Sequence, residues 1–304
     1  MTAKDILLAL AIIFIWGFNF VVIAWGIEGI PPLLLGGLRF LLVALVGSFF
    51  FKRPKTPLKW WFAYAIPISF LQFAFLFSAM DNGMPAGLAS LALQSQALFT
   101  LIFAMLFLKE SIKGYQVLAI IIAALGLIFI AQSHDAQTMT VLGFALTLAG
   151  AASWALGNIA NKSISQKGYA ANVNLIIWSA WIPPIPFFIA SYFIEGPDLI
   201  VTSLSQFGLQ SAIALLYLGI LATVVGYGLW SYLLKKYPAA QVAPLTLGVP
   251  VVGLTSAAII LDESINQAQW IGITLVVIGL LVNTFGKRIF KGLFKSNTQL
   301  NNDT

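Results

Sequence analysis

The sequence predicts an all-α integral membrane protein of ten transmembrane helices, arranged as two inverted five-helix repeats. Three observations predict it. Hydrophobic residues make up 60% of the 304-residue chain and charged residues only 9%, with a mean hydropathy of +0.95. The basic residues are confined to alternate loops, and the second half of the chain echoes the first at a shift of 153 residues.

Soluble domains run about 45–50% apolar and about 25% charged, so no soluble core of this size could hide the apolar surface. A lipid-facing exterior can. A membrane helix needs about 20 apolar residues, and ten runs of suitable length follow one another: 6–26, 33–51, 60–80, 86–108, 114–131, 140–160, 172–194, 208–234, 239–261 and 268–286. The first run outlasts the apolar region of about 7–15 residues in a signal peptide and lacks a convincing small-residue cleavage site, so it reads as a retained helix. Trp60 and Trp61, beside Lys59, read as an interfacial aromatic belt.

The loops sort by charge. With the N-terminus placed in the cytoplasm, the inner segments and tail hold fifteen of the sixteen Lys and Arg residues, and the outer loops hold none. The outer loops carry Glu28, Asp81, Asp135, Glu195, Asp198, Asp262 and Glu263. This is the positive-inside pattern, and a missed helix would scramble it. The net charge of +6 is therefore an orientation signal, and no nucleic-acid partner is expected. The chain has no cysteine and one histidine, His134. A disulfide framework, a thiolate nucleophile and a Cys- or His-based metal site are excluded, and no cofactor or metal is expected.

The repeat is clearest where 85–127 meets 238–280 without a gap, with twelve identities in 43 positions. Pro85-Ala86 meets Pro238-Ala239, Glu110-Ser111-Ile112 meets Glu263-Ser264-Ile265, and Gln116 meets Gln269. A weaker echo pairs Trp16 and Asn19 with Trp154 and Asn158. Five helices per half is an odd number, so the second half enters the membrane upside down. The division expected is a first repeat over 1–131, a second over 139–287 and a cytoplasmic tail over 288–304. Inverted repeats of this kind mark secondary transporters, with the substrate site near the midplane between them.

WGFNFVVI at 16–23, GLRF at 37–40 and the paired LKES and LDES junctions resemble the EamA-type branch of the drug/metabolite transporter superfamily. PPLLLGGLRF at 31–40, QFAFLFSAMDNGMPAGLASLALQSQA at 72–97, SWALGNIANK at 153–162 and APLTLGVPVVGLTSAAIILDE at 243–263 are similar to the bacterial amino-acid metabolite efflux proteins, which export O-acetylserine and cysteine. The resemblance covers nearly all of the chain before about residue 290. It implies a ten-helix inner-membrane exporter with cytoplasmic termini, working by alternating access.

Arg39 is the one ionisable side chain clearly inside a span, about six residues below the outer end of the second helix. A charge there is expensive. It either receives a substrate carboxylate, which Arg binds well, or holds neighbouring carbonyls together. Arg-Phe at this place is common across the resembled superfamily, which favours the structural reading. Trp16, Asn19, Gln72, Gln94, Ser95, Gln96, Trp154 and Asn158 are neutral; amides offer both donors and acceptors to a zwitterion, or serve as interhelical glue. As a set they favour a polar cavity. Tyr227, Trp230 and Tyr232, with Trp178 and Trp181, are candidate walls of that cavity. Pro85, Pro244 and Pro250 mark helix breaks, and Pro183, Pro184 and Pro186 distort the seventh helix. Gly226, Gly228, Gly248 and Gly253 permit close helix approach. Glu110 and Glu263 stand at equivalent junctions at the start of the fifth and tenth helices, where capping is the stronger reading and gating the other.

No acidic residue lies clearly inside a span. The small multidrug transporters, which the superfamily resembles, exchange protons for cationic drugs through a Glu in their first helix; here that region reads IWGFNF. One Arg is too few for a sugar-phosphate exchanger. There is no GxxxxGK[ST] loop for ATP and no HExxH motif, no paired Asp motif for membrane enzymology, and no charged ring of a channel. The expected function is export of small zwitterionic amino-acid metabolites, bound between helices 1, 3, 4 and 6 in a lipid bilayer. The alternative is a broader exporter of hydrophobic or aromatic compounds. A homodimer is left open.

Overall fold

The structure, a computed structural model, describes residues 1–132 and 139–300, with side chains left undescribed at 239, 240 and 287–300. His134 and Asp135 lie outside the described residues. Within lipid a chain must satisfy its own backbone donors and acceptors, and the apolar runs accordingly form helices: α1 (Ala3–Gly29), α2 (Pro32–Phe50), α3 (Leu58–Asp81), α4 (Ala86–Leu108), α5 (Gly114–Gln132), α6 (Val141–Gln166), α8 (Leu209–Lys236) and α9 (Ala243–Ile260). The seventh segment, α7, is two helices, Val173–Ser179 and Pro184–Glu195, bent by 40° where the Pro183-Pro184 pair removes donors. The last, α10, runs Gln267–Leu300, so the residues assigned to a tail continue its helical backbone. A surface helix, Pro197–Ser205, joins α7 to α8. No strand occurs among the described residues.

Successive helices alternate in direction. One face of the array therefore gathers the N-terminus and the Lys- and Arg-bearing loops, and the other gathers Glu28, Glu195, Asp198, Asp262 and Glu263. These are called the basic and acidic faces below. On the basic face Asp5, fully buried in α1, accepts hydrogen bonds from Lys236 Nζ at 2.8 Å and the Tyr237 hydroxyl at 2.6 Å. Trp61 is not part of an interfacial belt: it is buried, and its indole N–H donates to the Thr56 carbonyl at 2.9 Å.

The repeat is visible in the irregularities as much as in the helices. Lys109 (φ 56°) and Asp262 (φ 53°), equivalent at the 153-residue shift, are the two non-glycine residues with left-handed backbone among those described. Each ends a helix with the same reach-back bond, Glu110 N–H to Ala104 O at 3.3 Å and Glu263 N–H to Ala257 O at 3.4 Å. The matched glutamines then cap α5 and α10: Gln116 Oε1 accepts from Lys113 N–H at 2.9 Å and Gln269 Oε1 from Asn266 N–H at 3.0 Å. Helices α3 and α8 both widen to π geometry, over Ile66–Leu71 and Tyr217–Val225. Helices α4 and α9 both tighten to 3₁₀ geometry, over Leu93–Ser95 and Ala243–Leu247. Helical departures of this kind are tolerated at membrane depth where they line a cavity or meet other protein.

Helices α5 and α10 cross in contact, backbone to backbone. A Cβ on Gly126 would lie 2.7 Å from the Gly272 carbonyl oxygen, and one on Gly279 would lie 2.9 Å from the Ala119 carbonyl oxygen. Positions 126 and 279 are repeat equivalents, as are 119 and 272, so the contact maps onto itself under the two-fold relation between halves. Small residues let the helices approach where lipid offers no hydrophobic drive. Gly126→Ala is expected to destabilise the fold by about 1–3 kcal/mol, since the clash is with rigid backbone. Gly114→Ala, with open space around its Cβ, serves as the neutral control. A detergent melt showing equal midpoints for the two variants would contradict this.

Candidate functional site

A cavity of about 460 Å³ lies between the halves. Its floor and walls come from both: Trp16, Asn19 and Phe20 on α1, Arg39 on α2, Gln72 on α3, Gln94 and Gln96 on α4, Trp154 and Asn158 on α6, and Tyr227 and Trp230 on α8. All ten candidate binding residues thus line one space, though it involves α2, α7, α8 and α9 as well as the four helices expected. It runs toward the basic face, where Asn161, Asn172 and Ser231 form its mouth. Toward the acidic face it is closed by Val22, Ile23, Leu35, Leu76, Phe77 and Ala79, none more than 2% exposed.

Arg39 is 3% exposed, and among the described residues no carboxylate lines the cavity. Its guanidinium carbon sits 4.1 Å from the Phe73 ring centroid and 5.5 Å from that of Phe40, so aromatic faces replace a counter-ion in part. Nη2 donates to Thr223 Oγ1 at 3.0 Å. The π segment of α8 places that hydroxyl, which in turn donates to the Leu218 carbonyl five residues back at 2.8 Å. Arg39 Nε and Nη1 have no partner among the described residues, and neither does Asn19 Oδ1. A buried polar atom left unpaired costs about 1–3 kcal/mol, and more when charged. Two donors of a cation and one acceptor, on residues that line the cavity, are thus buried without a partner.

The other polar residues are partly spoken for. Asn158 Nδ2 donates to Gln96 Oε1 at 2.8 Å and Thr100 Oγ1 at 3.1 Å, which is the glue reading for that pair. Trp16 Nε1 donates to the Ala222 carbonyl at 3.0 Å, within the π segment. Its ring meets Tyr227 at 5.2 Å and Trp230 at 5.4 Å between centroids, making a three-ring wall. Three expected wall residues are elsewhere: Tyr232 and Trp181 point outward, and Trp178 Nε1 is bound to the Phe51 carbonyl at 2.8 Å. Ser95 is buried with its hydroxyl on the Ala92 carbonyl at 2.7 Å. Helical rotation, altered by the 3₁₀ turn, decides this and is invisible in residue type. Tyr64, Ser90, Ser231 and Thr246 also line the cavity and were missed; hydroxyls in an apolar run carry no signal that separates lining from packing.

The two junction glutamates depart from expectation. Neither caps its own following helix. Glu263 reaches across to the first half, where Oε1 accepts from Ala86 N–H at 2.6 Å and Oε2 from Gly87 N–H at 2.9 Å, capping α4. Burial pushes its carboxyl above the ordinary carboxylate range, opposed by the hydrogen bonds from Gly87 and Ala86. Glu110 is instead paired with Lys162 Nζ, at 2.6 Å and 2.7 Å. A second cross-half cap, unforeseen, comes from Glu195, whose oxygens accept from Leu33 N–H at 2.6 Å and Leu34 N–H at 3.1 Å at the start of α2. Pro32 opens that helix and leaves those two N–H groups free for it.

Comparison with known proteins agrees with this architecture. The EamA-like transporter family matches residues 3–132 and 141–285. A protein of Escherichia coli K12 named "Probable amino-acid metabolite efflux pump" is 49% identical over 95% of this chain and 97% of its own length. Its namesake in Salmonella typhimurium is 48% identical over the same shares, and an uncharacterised transporter of Archaeoglobus fulgidus is 28% identical over 92% and 98%. A solved crystal structure at 18% identity superposes with a TM-score of 0.63 over 95% of this chain and 99% of its own, a likeness of fold alone. On the family match, the relatives at nearly half identity and the ten-helix array, the chain belongs to the EamA-like transporter family, as a multi-pass membrane transporter.

Proposed function

We propose that this chain exports small zwitterionic amino-acid metabolites, O-acetylserine and cysteine among them, across a bacterial inner membrane by alternating access. The observation that carries the reading is the inventory of the cavity's described lining: a buried guanidinium with two of its three nitrogens unpaired, an unpaired amide oxygen and no carboxylate. A zwitterion supplies what is lacking on both counts. Its carboxylate takes Arg39 Nε and Nη1, an interaction strengthened by the dry, aromatic surroundings. Its ammonium takes Asn19 Oδ1 and the faces of Trp16, Tyr227 and Trp230. A substrate with no carboxylate leaves the guanidinium unpaired and is rejected on that ground.

The positive-inside pattern supports a cytoplasmic basic face with both termini on that side. The cavity mouth then faces the cytoplasm, the arrangement that loads an exporter. The relatives named as efflux pumps support the same direction. A second reading has its own observation: seven aromatic side chains and about 460 Å³ are more than a three-carbon amino acid needs. Larger apolar or aromatic metabolites fit that wall.

Counterflow of labelled O-acetylserine in proteoliposomes is expected, competed by cysteine and not by O-acetylserine methyl ester. Equal competition by the ester would remove the carboxylate contact from the account. Arg39→Ala is expected to weaken apparent affinity about 10- to 100-fold, the worth of a charged hydrogen bond. Full transport by correctly inserted Arg39→Ala would make Arg39 structural. In Asn19→Ala, the loss should fall on ammonium-bearing competitors and spare their N-acetylated analogues. Absence of O-acetylserine counterflow together with uptake of aromatic metabolites would replace the first reading with the second.

A further inference from the structure

The repeat places two carboxylates in equivalent positions, yet the structure uses them differently. The Pro-Ala pair that opens α4 (Pro85-Ala86) is repeated at Pro238-Ala239, and Glu110 is repeated at Glu263, all at one shift. Their local backbone is also the same, a left-handed residue followed by the reach-back bond to an alanine. That turn points the glutamate back over the helix it has just left. For Glu263 the result is a cap on α4: two N–H groups of the first half held by two oxygens of the second. The fit is close, since a Cβ on Gly87 would stand 3.1 Å from Glu263 Oε2 and 3.3 Å from the Leu254 Cα. Glu110, half exposed, is spent on Lys162 at the opposite face.

We infer that Glu263 and Glu110 are reciprocal latches. Glu263 holds the acidic face shut in the arrangement seen here, and Glu110 leaves Lys162 for the backbone N–H groups that begin the Ala239 segment when the basic face closes. This rests on the alternating-access reading. Inverted repeats give the physical ground, because two halves of one architecture exchange conformations when the carrier turns over. A contact made by one copy in one state is then made by the other copy in the opposite state. The latch acts on the site because α4 carries Ser90, Gln94 and Gln96 into the cavity and α9 carries Thr246. Lys162 lies one turn beyond Asn158, which is bonded to Gln96, so release of Glu110 is felt in the same wall. Glu195 has no such counterpart: it ends α7, and the segment that follows α2, residues 51–57, holds no carboxylate. It braces the acidic face without a matching partner on the other.

The chain contains no cysteine, so single cysteines report each face cleanly. Ala79→Cys, buried on the acidic side of the cavity, and Ser231→Cys, at its basic mouth, are labelled with a hydrophilic maleimide in nanodiscs, where both faces are accessible. Glu263→Gln offers one acceptor in place of two and turns an amide N–H toward a backbone N–H. It is expected to raise the Ala79→Cys rate about fivefold, the population change one cap sets, and to lower the Ser231→Cys rate. Glu110→Gln should do the reverse, and Lys162→Gln, which frees Glu110, should raise Ala79→Cys labelling. Should Glu263→Gln fail to fold, the opposed signs of Glu110→Gln and Lys162→Gln decide alone. Shifts of the same sign in Glu110→Gln and Lys162→Gln, or no shift, overturn the latch. Ala79→Cys unlabelled in the unmodified background while counterflow proceeds overturns alternating access itself; labelling there that ignores every glutamate variant sinks the latch alone.

Discussion

A positive charge buried among phenyl rings, with no acid to answer it, is the constraint around which this protein is arranged. Arg39 retains one side-chain hydrogen bond and leaves two nitrogens unpaired. Lipid would not tolerate that, and a packed core would not either. In the proposed account, water and the transported compound answer that charge from the cavity. The requirement explains why α8 gives up α-helical geometry beside it. The π segment turns Thr223 toward the guanidinium and frees the Ala222 carbonyl for Trp16.

The second organising fact is that one five-helix plan is used twice in opposite directions. The duplicated irregularities sit beside the cavity. Both π segments and both 3₁₀ segments lie at cavity depth, on the four helices α3, α8, α4 and α9. By contrast, α5 and α10 pack glycine against backbone in a contact that is its own symmetry mate. A self-symmetric contact has the same form whichever half leads, so in the proposed alternating-access cycle that pair is the fixed post. The asymmetric contacts, Glu263 on α4 and Glu110 on Lys162, are the ones that distinguish the two states of that proposed cycle.

Much of this was legible in the residues. Apolar run length located the helices, because a bilayer imposes a length on them. Lysine and arginine placement ordered their directions. The candidate amides, with Trp16, Trp154 and Trp230, gather around one cavity, because lipid would penalise the amides elsewhere. What stayed hidden depends on rotation and reach. Tyr232 and Tyr227 are five residues apart, and only the latter turns inward. Trp178 reads like any tryptophan until its N–H is found on the Phe51 carbonyl. Glu195 looked like one more external acid; its role depends on a helix start more than 160 residues away in sequence. The glutamates of the repeat were singled out, but their targets were sought on the adjacent helix when the turn sends Glu263 across the interface.

The central claim is that Arg39 receives the carboxylate of the transported compound. The most direct test is an experimental structure of the protein with O-acetylserine bound. The account predicts density in the cavity with a carboxylate oxygen about 3 Å from Arg39 Nε or Nη1, and the ammonium on the Asn19 side. Density elsewhere, or an uncharged part of the molecule against an unmoved guanidinium, would contradict it.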